Sequence, residues 1–265
     1  MTGLYTNART NTGRSGVWHP EVREHRFFYD GSLTPGQTVT LPDATGQRIR
    51  HVLRWTSGQV FTLFDGSGCD YAAELVMCSK KVVQAKTGAC IRREAPPALS
   101  IHLAMGILRS ERMDFSLQKS VELGVQVITP LFTQRTLIQL RKAHLARREA
   151  HWRGIICHAC EQSGRSLLPE QQPAQSFVKW LTQLDTADTL LLLDPQAELC
   201  LPQISRPDHS ILVTVGPEGG LTSAEREQAI QNGLTPVRLG PRILRAETVP
   251  LATLAAIQAL WGDGQ

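Results

Sequence analysis

The stretch from Ile211 to Trp261 constrains the fold of this chain most tightly. It opens with an apolar run, ILVTV, that meets a glycine-rich turn, GPEGG, at Gly216 to Gly220. In the TSAERE that follows, Thr222 or Ser223 can cap a helix and Glu225 favours its N-terminal dipole. Asn232-Gly233 supplies the stop. A second short apolar segment, TPVRL, leads into GPRILRAET (Gly240 to Thr248), and Val249 to Trp261 reads as a last apolar helix. Two strand–turn–helix units in succession point to an α/β sheet. In an open sheet of this kind ligands bind outside the carboxyl ends of the strands, so both turns are expected to face one site.

Gly216, Gly219 and Gly220 let backbone approach a ligand closely. Alone, GPEGG is a weak signal: it is neither a Walker A loop nor a G-x-G-x-x-G fingerprint. The second turn says more. Arg242, Arg245 and Glu247 crowd beside Ile243 and Leu244 directly before a helix N-terminus. Two readings fit that spacing equally: a pocket for a partly apolar, partly charged cofactor, or a surface turn with an Arg–Glu pair.

Upstream, Thr189 to Leu193 is a continuous apolar run of the buried parallel type, ending at Asp194-Pro195 as a third wall of the same pocket. Strands are also expected over Ser100 to Leu108 and Val127 to Phe132, and helices over Arg112 to Leu123, Arg141 to Ser163 and Pro173 to Leu184. EAPPAL, Glu94 to Leu99, reads as a linker, its prolines excluding helix and sheet. Before it, short strands at His25 to Tyr29, within TPGQTVTL, and at Gly58 to Phe64, Cys69 to Met77 and Lys81 to Ile91 imply a small β-barrel. Gln47 to Arg54 has helical spacing, with Ile49, Val52 and Leu53 inward and Arg48, Arg50 and Arg54 outward. The division is therefore a polar tail at 1–24, expected to be disordered, a barrel at 25–93, a linker at 94–99 and a larger domain at 100–265.

The first 95 residues contain twelve Lys/Arg against eight Asp/Glu, and the remainder sixteen of each, so the whole formal excess of +4 lies in the N-terminal third. A basic module beside a neutral one suggests docking to a polyanion. No apolar run approaches the ~20 residues of a membrane helix, and the N-terminus has no apolar core of a secretory signal. Six scattered cysteines without secretory context imply reduced thiols and a cytoplasmic protein. Cys157-His158-Ala159-Cys160 is formally C-x-x-C, but it lies in a helical pattern with no second pair, which favours a buried helix face over a metal site. His144, His151 and His158 recur every seven residues, two turns or about 10 Å apart, too far for one ion. No metal is expected.

Taken together, GPEGG–TSAE and LGPRILRAET resemble the C-terminal signature of the bacterial 16S ribosomal RNA uridine-N3 methyltransferases, the RsmE-like members of the SPOUT class. RSERMDFSLQKSVELGVQVITPLFTQR (Arg109 to Arg135) is similar to the family's central motif, ACEQSGR (Ala159 to Arg165) to another, and HVLR with GQVFTLFDG to its N-terminal domain. The resemblance covers Arg26 to Asp263 and departs at Ala246, where the family usually has Thr. It implies a PUA-like RNA-binding barrel followed by a SPOUT α/β domain with a deep trefoil knot. It also implies S-adenosylmethionine as cofactor, 16S ribosomal RNA of the small subunit as partner, and a homodimer. Cofactor contacts then fall on Leu193, Gly216, Glu218, Gly219, Gly220, Leu239, Gly240, Ile243 and Leu244. Arg245 is the expected stabiliser of the deprotonated uracil, and Glu247 either takes the N3 proton or holds Arg245. RNA contacts are expected at Arg26, His51, Arg54, Lys119, Arg135 and Arg165, with packing as the rival role for His51 and pairing with Glu122 as that for Lys119. Two alternatives of function stand beside this one: a SPOUT enzyme modifying another RNA position, and a non-catalytic assembly factor.

Overall fold

The structure, a computed structural model, describes residues 25–137, 142–184 and 187–262. The expected tail at 1–24 lies outside them, as does Arg141.

The larger sheet has seven strands, and every pairing in it is parallel. Its order is β12 (Thr235–Val237), β10 (Thr189–Leu193), β11 (Ser210–Val215), β6 (Ser100–Gly106), β7 (Val127–Phe132) and β8 (Glu170–Gln171), with β9 (Gln175–Ser176) also beside β7. The apolar runs read in the sequence are apolar because both faces are covered. Ile101, Leu103, Met105, Ile211, Val213 and Leu191 point into one core with helices α2 (Ser110–Glu122), α3 (Lys142–Ser163) and α6 (Thr248–Trp261). The intervening Ala104, Leu212 and Leu192 point to the other face, under α4 (Phe177–Leu181) and α5 (Ser223–Gln231). The two-residue alternation of a strand thus divides each run between two helical layers.

The smaller sheet has the order β1 (Arg26–Phe28), β3 (Val60–Phe64), β4 (Cys69–Cys78), β5 (Val83–Arg93) and β2 (Thr38–Thr40), with β1 and β3 parallel and the rest antiparallel. Phe27, Ile49, Phe61, Leu63 and Leu75 form its core.

Three expectations change. The helix expected at Gln47 to Arg54 begins earlier, as α1 (Asp43–Gln47), and continues as a π-helical turn over Arg48–Leu53. Ile49 is buried there but Val52 is 72% exposed, because the wider turn carries it off the face that α-helical spacing assigns. The helix expected at Pro173 to Leu184 shrinks to Phe177–Leu181. Its front half is taken by strand pairing of Gln175 and Ser176 with Leu131 and Phe132, and the Ser176 hydroxyl caps the remaining helix by accepting from the Lys179 N–H. Last, the thiols are not all free: Cys69 and Cys90, on the neighbouring strands β4 and β5, form a disulfide with Cα atoms 6.0 Å apart. Alternation along a strand cannot reveal a cross-strand partner.

The two sheets meet along a polar seam. Asp70, 3% exposed, accepts from Arg26 Nη2 at 2.9 Å, Arg92 Nε at 2.7 Å and Ser166 Oγ at 2.6 Å. Both guanidiniums also donate to the Gly164 carbonyl at the C-terminus of α3, where cations suit the helix dipole. Glu94 accepts from the Ser166 and Leu167 N–H groups, and Glu161 from the Phe28 N–H at 3.0 Å and Arg48 at 3.0 Å. EQSGR, which closes α3, is therefore a joint between the two sheets.

Candidate active site

The carboxyl ends of β10, β11 and β12 lie side by side, and the segments that follow them enclose a cavity of about 460 Å³. Leu193 and Asp194 border it from β10, Gly216, Pro217, Glu218 and Gly220 from β11, and Leu244, Ala246 and Val249 from the segment after β12. A narrower recess shares Leu193, Leu244 and Val249 and adds Leu239 and Gly240. The volume is that of a small-molecule site, roughly 300–1,000 Å³.

Two glycines make this geometry possible. Gly220 has φ +68°, a left-handed conformation that tightens the turn through its N–H bond to the Pro217 carbonyl at 2.8 Å. Gly106, at the end of β6, has no room for a side chain: a Cβ there would sit 2.5 Å from Pro217 N. The loop after β11 then runs into α5, whose Thr222 hydroxyl accepts the Glu225 N–H at 3.2 Å while Glu225 accepts the Thr222 N–H at 2.9 Å. Glu225 also accepts the Gln134 N–H at 2.8 Å, tying this turn to the end of β7. The cap read from TSAE is thus confirmed, with a tertiary contact that local sequence does not reveal.

Charge gathers at the rim. Arg112, on the first turn of α2, stands between two carboxylates: Glu218 at 3.8 Å and Glu247 at 3.6 Å. Glu218 Oε1 also accepts the Arg109 N–H at 2.9 Å. The Oε2 atoms of Glu218 and Glu247 are both buried without a hydrogen-bond partner, so each has an open acceptor position. Asp194 forms an ion pair with Arg226 on α5. Arg245 is exposed, and among the described residues its guanidinium has no hydrogen-bond or ion-pair partner. Glu247 therefore faces Arg112 and does not hold Arg245, the second of the two roles expected for it.

Of the expected cofactor residues, Leu193, Gly216, Glu218, Gly220, Leu239, Gly240, Ile243 and Leu244 all line this cavity or its recess. Gly219 stands just behind, its carbonyl accepting from Arg135 at 2.9 Å. Asp194 borders the cavity as the wall expected at the end of β10, whereas Arg112, Gly106 and Arg226 are not marked in the sequence. A glycine required by another strand's loop carries no local sequence mark, and Arg112 lies outside the turns that drew attention.

The expected RNA residues do not form one surface. Arg26 and Arg165 are corrected to structural roles. The Arg26 side chain is 13% exposed and held by Asp70, Ser166 and the backbone. Arg165, 12% exposed, donates to the Val121 and Val125 carbonyls at 3.0 and 2.6 Å. Lys119 pairs with Glu122 at 2.8 Å, the competing role given above. Arg135 lines the cofactor cavity. His51 and Arg54 are exposed at the end of the π-helical turn, Arg54 with φ +54°. The C-x-x-C sulfurs are buried, and burial raises the Cys157 thiol to about 11 and that of Cys160 to about 12. Among the described residues no group of His, Cys, Asp or Glu could hold a metal ion, and no helix is long and apolar enough to cross a membrane.

A parallel sheet covered on both faces, with a cofactor-sized cavity outside three strand ends and ionised groups at its rim, defines a cofactor-dependent α/β enzyme. Residues 95–258 match the model of the RNA methyltransferase domain. A ribosomal RNA small subunit methyltransferase E from Synechocystis sp. is 34% identical, with 84% of this chain and 73% of that one covered. The crystal structure of such a protein from Neisseria gonorrhoeae, bound to S-adenosyl methionine, is 39% identical, with a TM-score of 0.82 over 92% of this chain and 100% of that one. A Legionella pneumophila methyltransferase solved with its bound cofactor SAM is 34% identical, with a TM-score of 0.86 over 91% and 100%. The chain belongs to this RNA methyltransferase family, among its ribosomal RNA small subunit methyltransferase E proteins.

Proposed function

We propose that the protein uses S-adenosylmethionine to methylate N3 of one uridine in 16S ribosomal RNA of the small subunit, as a homodimer in the cytoplasm. The observation that carries this reading is the convergence of three strand-end segments on one cavity whose rim bears Arg112, Glu218 and Glu247. The residues present fit the cofactor. Leu193, Leu239, Ile243, Leu244 and Val249 offer apolar walls to an adenine, the glycine turn offers backbone groups, and the orphaned Glu218 Oε2 offers an acceptor to a hydroxyl or ammonium. When bound, S-adenosylmethionine supplies an electrophilic methyl group.

The chain's own task is to orient the uracil and remove its N3 proton. A flipped or unpaired base costs a few kcal/mol, least where it is already single-stranded. Glu247, with a free buried oxygen, is the proposed proton acceptor. Arg112 holds its other oxygen in place. Arg245, exposed between the cavity-lining Leu244 and Ala246 and without a partner among the described residues, is the proposed partner of O2 or O4, where negative charge grows as N3 loses its proton. His51 and Arg54, on the π-helical turn beside the smaller sheet, remain proposed RNA contacts. That sheet is proposed to close as a PUA-like barrel at 25–93, with a linker at 94–99 and the methyltransferase domain at 100–265.

We also propose the deep trefoil knot for the larger domain. After β12, at one edge of the sheet, the chain returns past the ends of β10 and β11, so that α6 packs beside α2 in one core. The homodimer is supported by exposed Phe115 and Leu260 on these neighbouring helices. Calorimetric titration of EDTA-treated protein with S-adenosylmethionine tests the reading. Saturable binding is expected; no heat and no competition by S-adenosylhomocysteine would remove it.

A further inference from the structure

A second concavity, of about 340 Å³, lies between α2 and α3 and plays no part in the cofactor site. His144, Arg147, Arg148 and His151 line it, at positions i, i+3, i+4 and i+7 of α3 and hence on one face. Ser110 and Asp114 of α2 face them, and buried Trp152 completes the lining. Elsewhere in this domain Arg112, Arg153, Arg165 and Arg226 each face a carboxylate. Here Arg148 donates only to the neutral Ser110 hydroxyl, at 3.1 Å, and Arg147 has no hydrogen-bond or ion-pair partner among the described residues. Among the described residues Asp114 is the one carboxylate lining the groove, and His151 engages it at 2.9 Å. Two guanidiniums thus share the recess, among the described residues, with a single carboxylate that His151 already engages. The first turn of α2 separates the groove from the site: Ser110 and Asp114 face one side, while Arg112 reaches Glu218 and Glu247 on the other.

We propose that the α2/α3 groove binds the sugar-phosphate backbone of the RNA strand flanking the target nucleotide, with Arg147 and Arg148 as its phosphate ligands. This rests on the RNA methyltransferase reading above. A strand crossing the first turn of α2 would have its backbone held on one flank while the reacting base turns towards Glu247 and Arg245 on the other. Phosphate contacts of this kind fix register without reading sequence.

The test is a salt series of affinity for purified small ribosomal subunits and for a short single-stranded oligouridylate. It compares the full-length wild type, Arg147→Ala/Arg148→Ala and Arg147→Lys/Arg148→Lys. The alanine pair is expected to lower the slope of log K against log salt by roughly 1.5 units, the share of two phosphate contacts. The lysine pair should keep most of the slope, and S-adenosylmethionine affinity should be unchanged in both. An unchanged slope in the alanine pair, with wild-type methylation intact, overturns the groove and leaves the methyltransferase reading standing. A variant that loses its dimer by sedimentation yet keeps the slope makes the groove a contact between copies, which also overturns the proposal. Wild-type protein that binds neither RNA nor cofactor fails at the earlier reading instead.

Discussion

Arg112 was not visible as a site residue because nothing in RSERMDF separates its role from those of Arg109 and Glu111; only the fold brings it between Glu218 and Glu247. Arg245 was selected through the resemblance of its turn to the family's signature, and among the described residues it has no hydrogen-bond or ion-pair partner, as the proposed reaction requires. Arg245→Ala is expected to slow methyl transfer by ~10²–10³ while leaving cofactor affinity within about twofold, since its contact strengthens only as charge develops on the uracil. Single-turnover rates beside calorimetry check this, and full turnover would end the assigned role. Gly220→Val should act in the opposite way. A branched residue at φ +68° is strained, so the turn moves and cofactor binding is lost before chemistry is reached. The two buried thiols give a third expectation. Because burial raises Cys157 and Cys160 to about 11 and 12, both stay protonated from pH 7 to 9. Alkylation of native protein should therefore mark Cys78 and Cys200, which are half-buried, well before Cys157 and Cys160; mass spectrometry of the labelled peptides reads the order.

Elements with a strong period or a local cap were legible from the chain alone. Val127–Phe132, Thr189–Leu193 and the Thr222-capped α5 are found where their residues placed them. Those decided by tertiary partners were not. The strand at Gln175–Ser176 exists because β7 offers an edge, and the Cys69–Cys90 pairing follows from the bulged register of β4 on β5. The π-helical turn is a further case, since a change of pitch moves Val52 outward while leaving its spacing from Ile49 intact. EQSGR was recognisable as a motif but not as a joint, because its partners Arg26, Phe28 and Arg92 all come from the other sheet. Arg26→Ala should cost about 3 kcal/mol of stability by leaving part of a buried charge cluster uncompensated. Denaturant unfolding measures it, and a loss below the uncertainty of the extrapolation would mean that Arg92 alone satisfies Asp70.

For the molecule as a whole, charge counted along the chain is an incomplete map of the surface. The N-terminal third holds the formal excess, yet Arg26, Arg48 and Arg92 are engaged at the seam with Asp70 and Glu161. Arg54 stays exposed beside that sheet, and in the methyltransferase domain, neutral in sum, Arg147 and Arg245 have no hydrogen-bond or ion-pair partner among the described residues. Arg54→Ala is accordingly expected to reduce the salt slope of RNA binding by up to about one unit, whereas Arg26→Ala should lower stability without changing the slope. On the proposed function, recognition and chemistry are joined across the polar seam, and RNA held beside both sheets presents one nucleotide to the cavity. The most direct test of that account is nucleoside mass spectrometry of 16S ribosomal RNA after small subunits lacking the modification are incubated with the protein and methyl-labelled S-adenosylmethionine. One labelled 3-methyluridine per subunit is expected; label on any other nucleoside, or none, would contradict it.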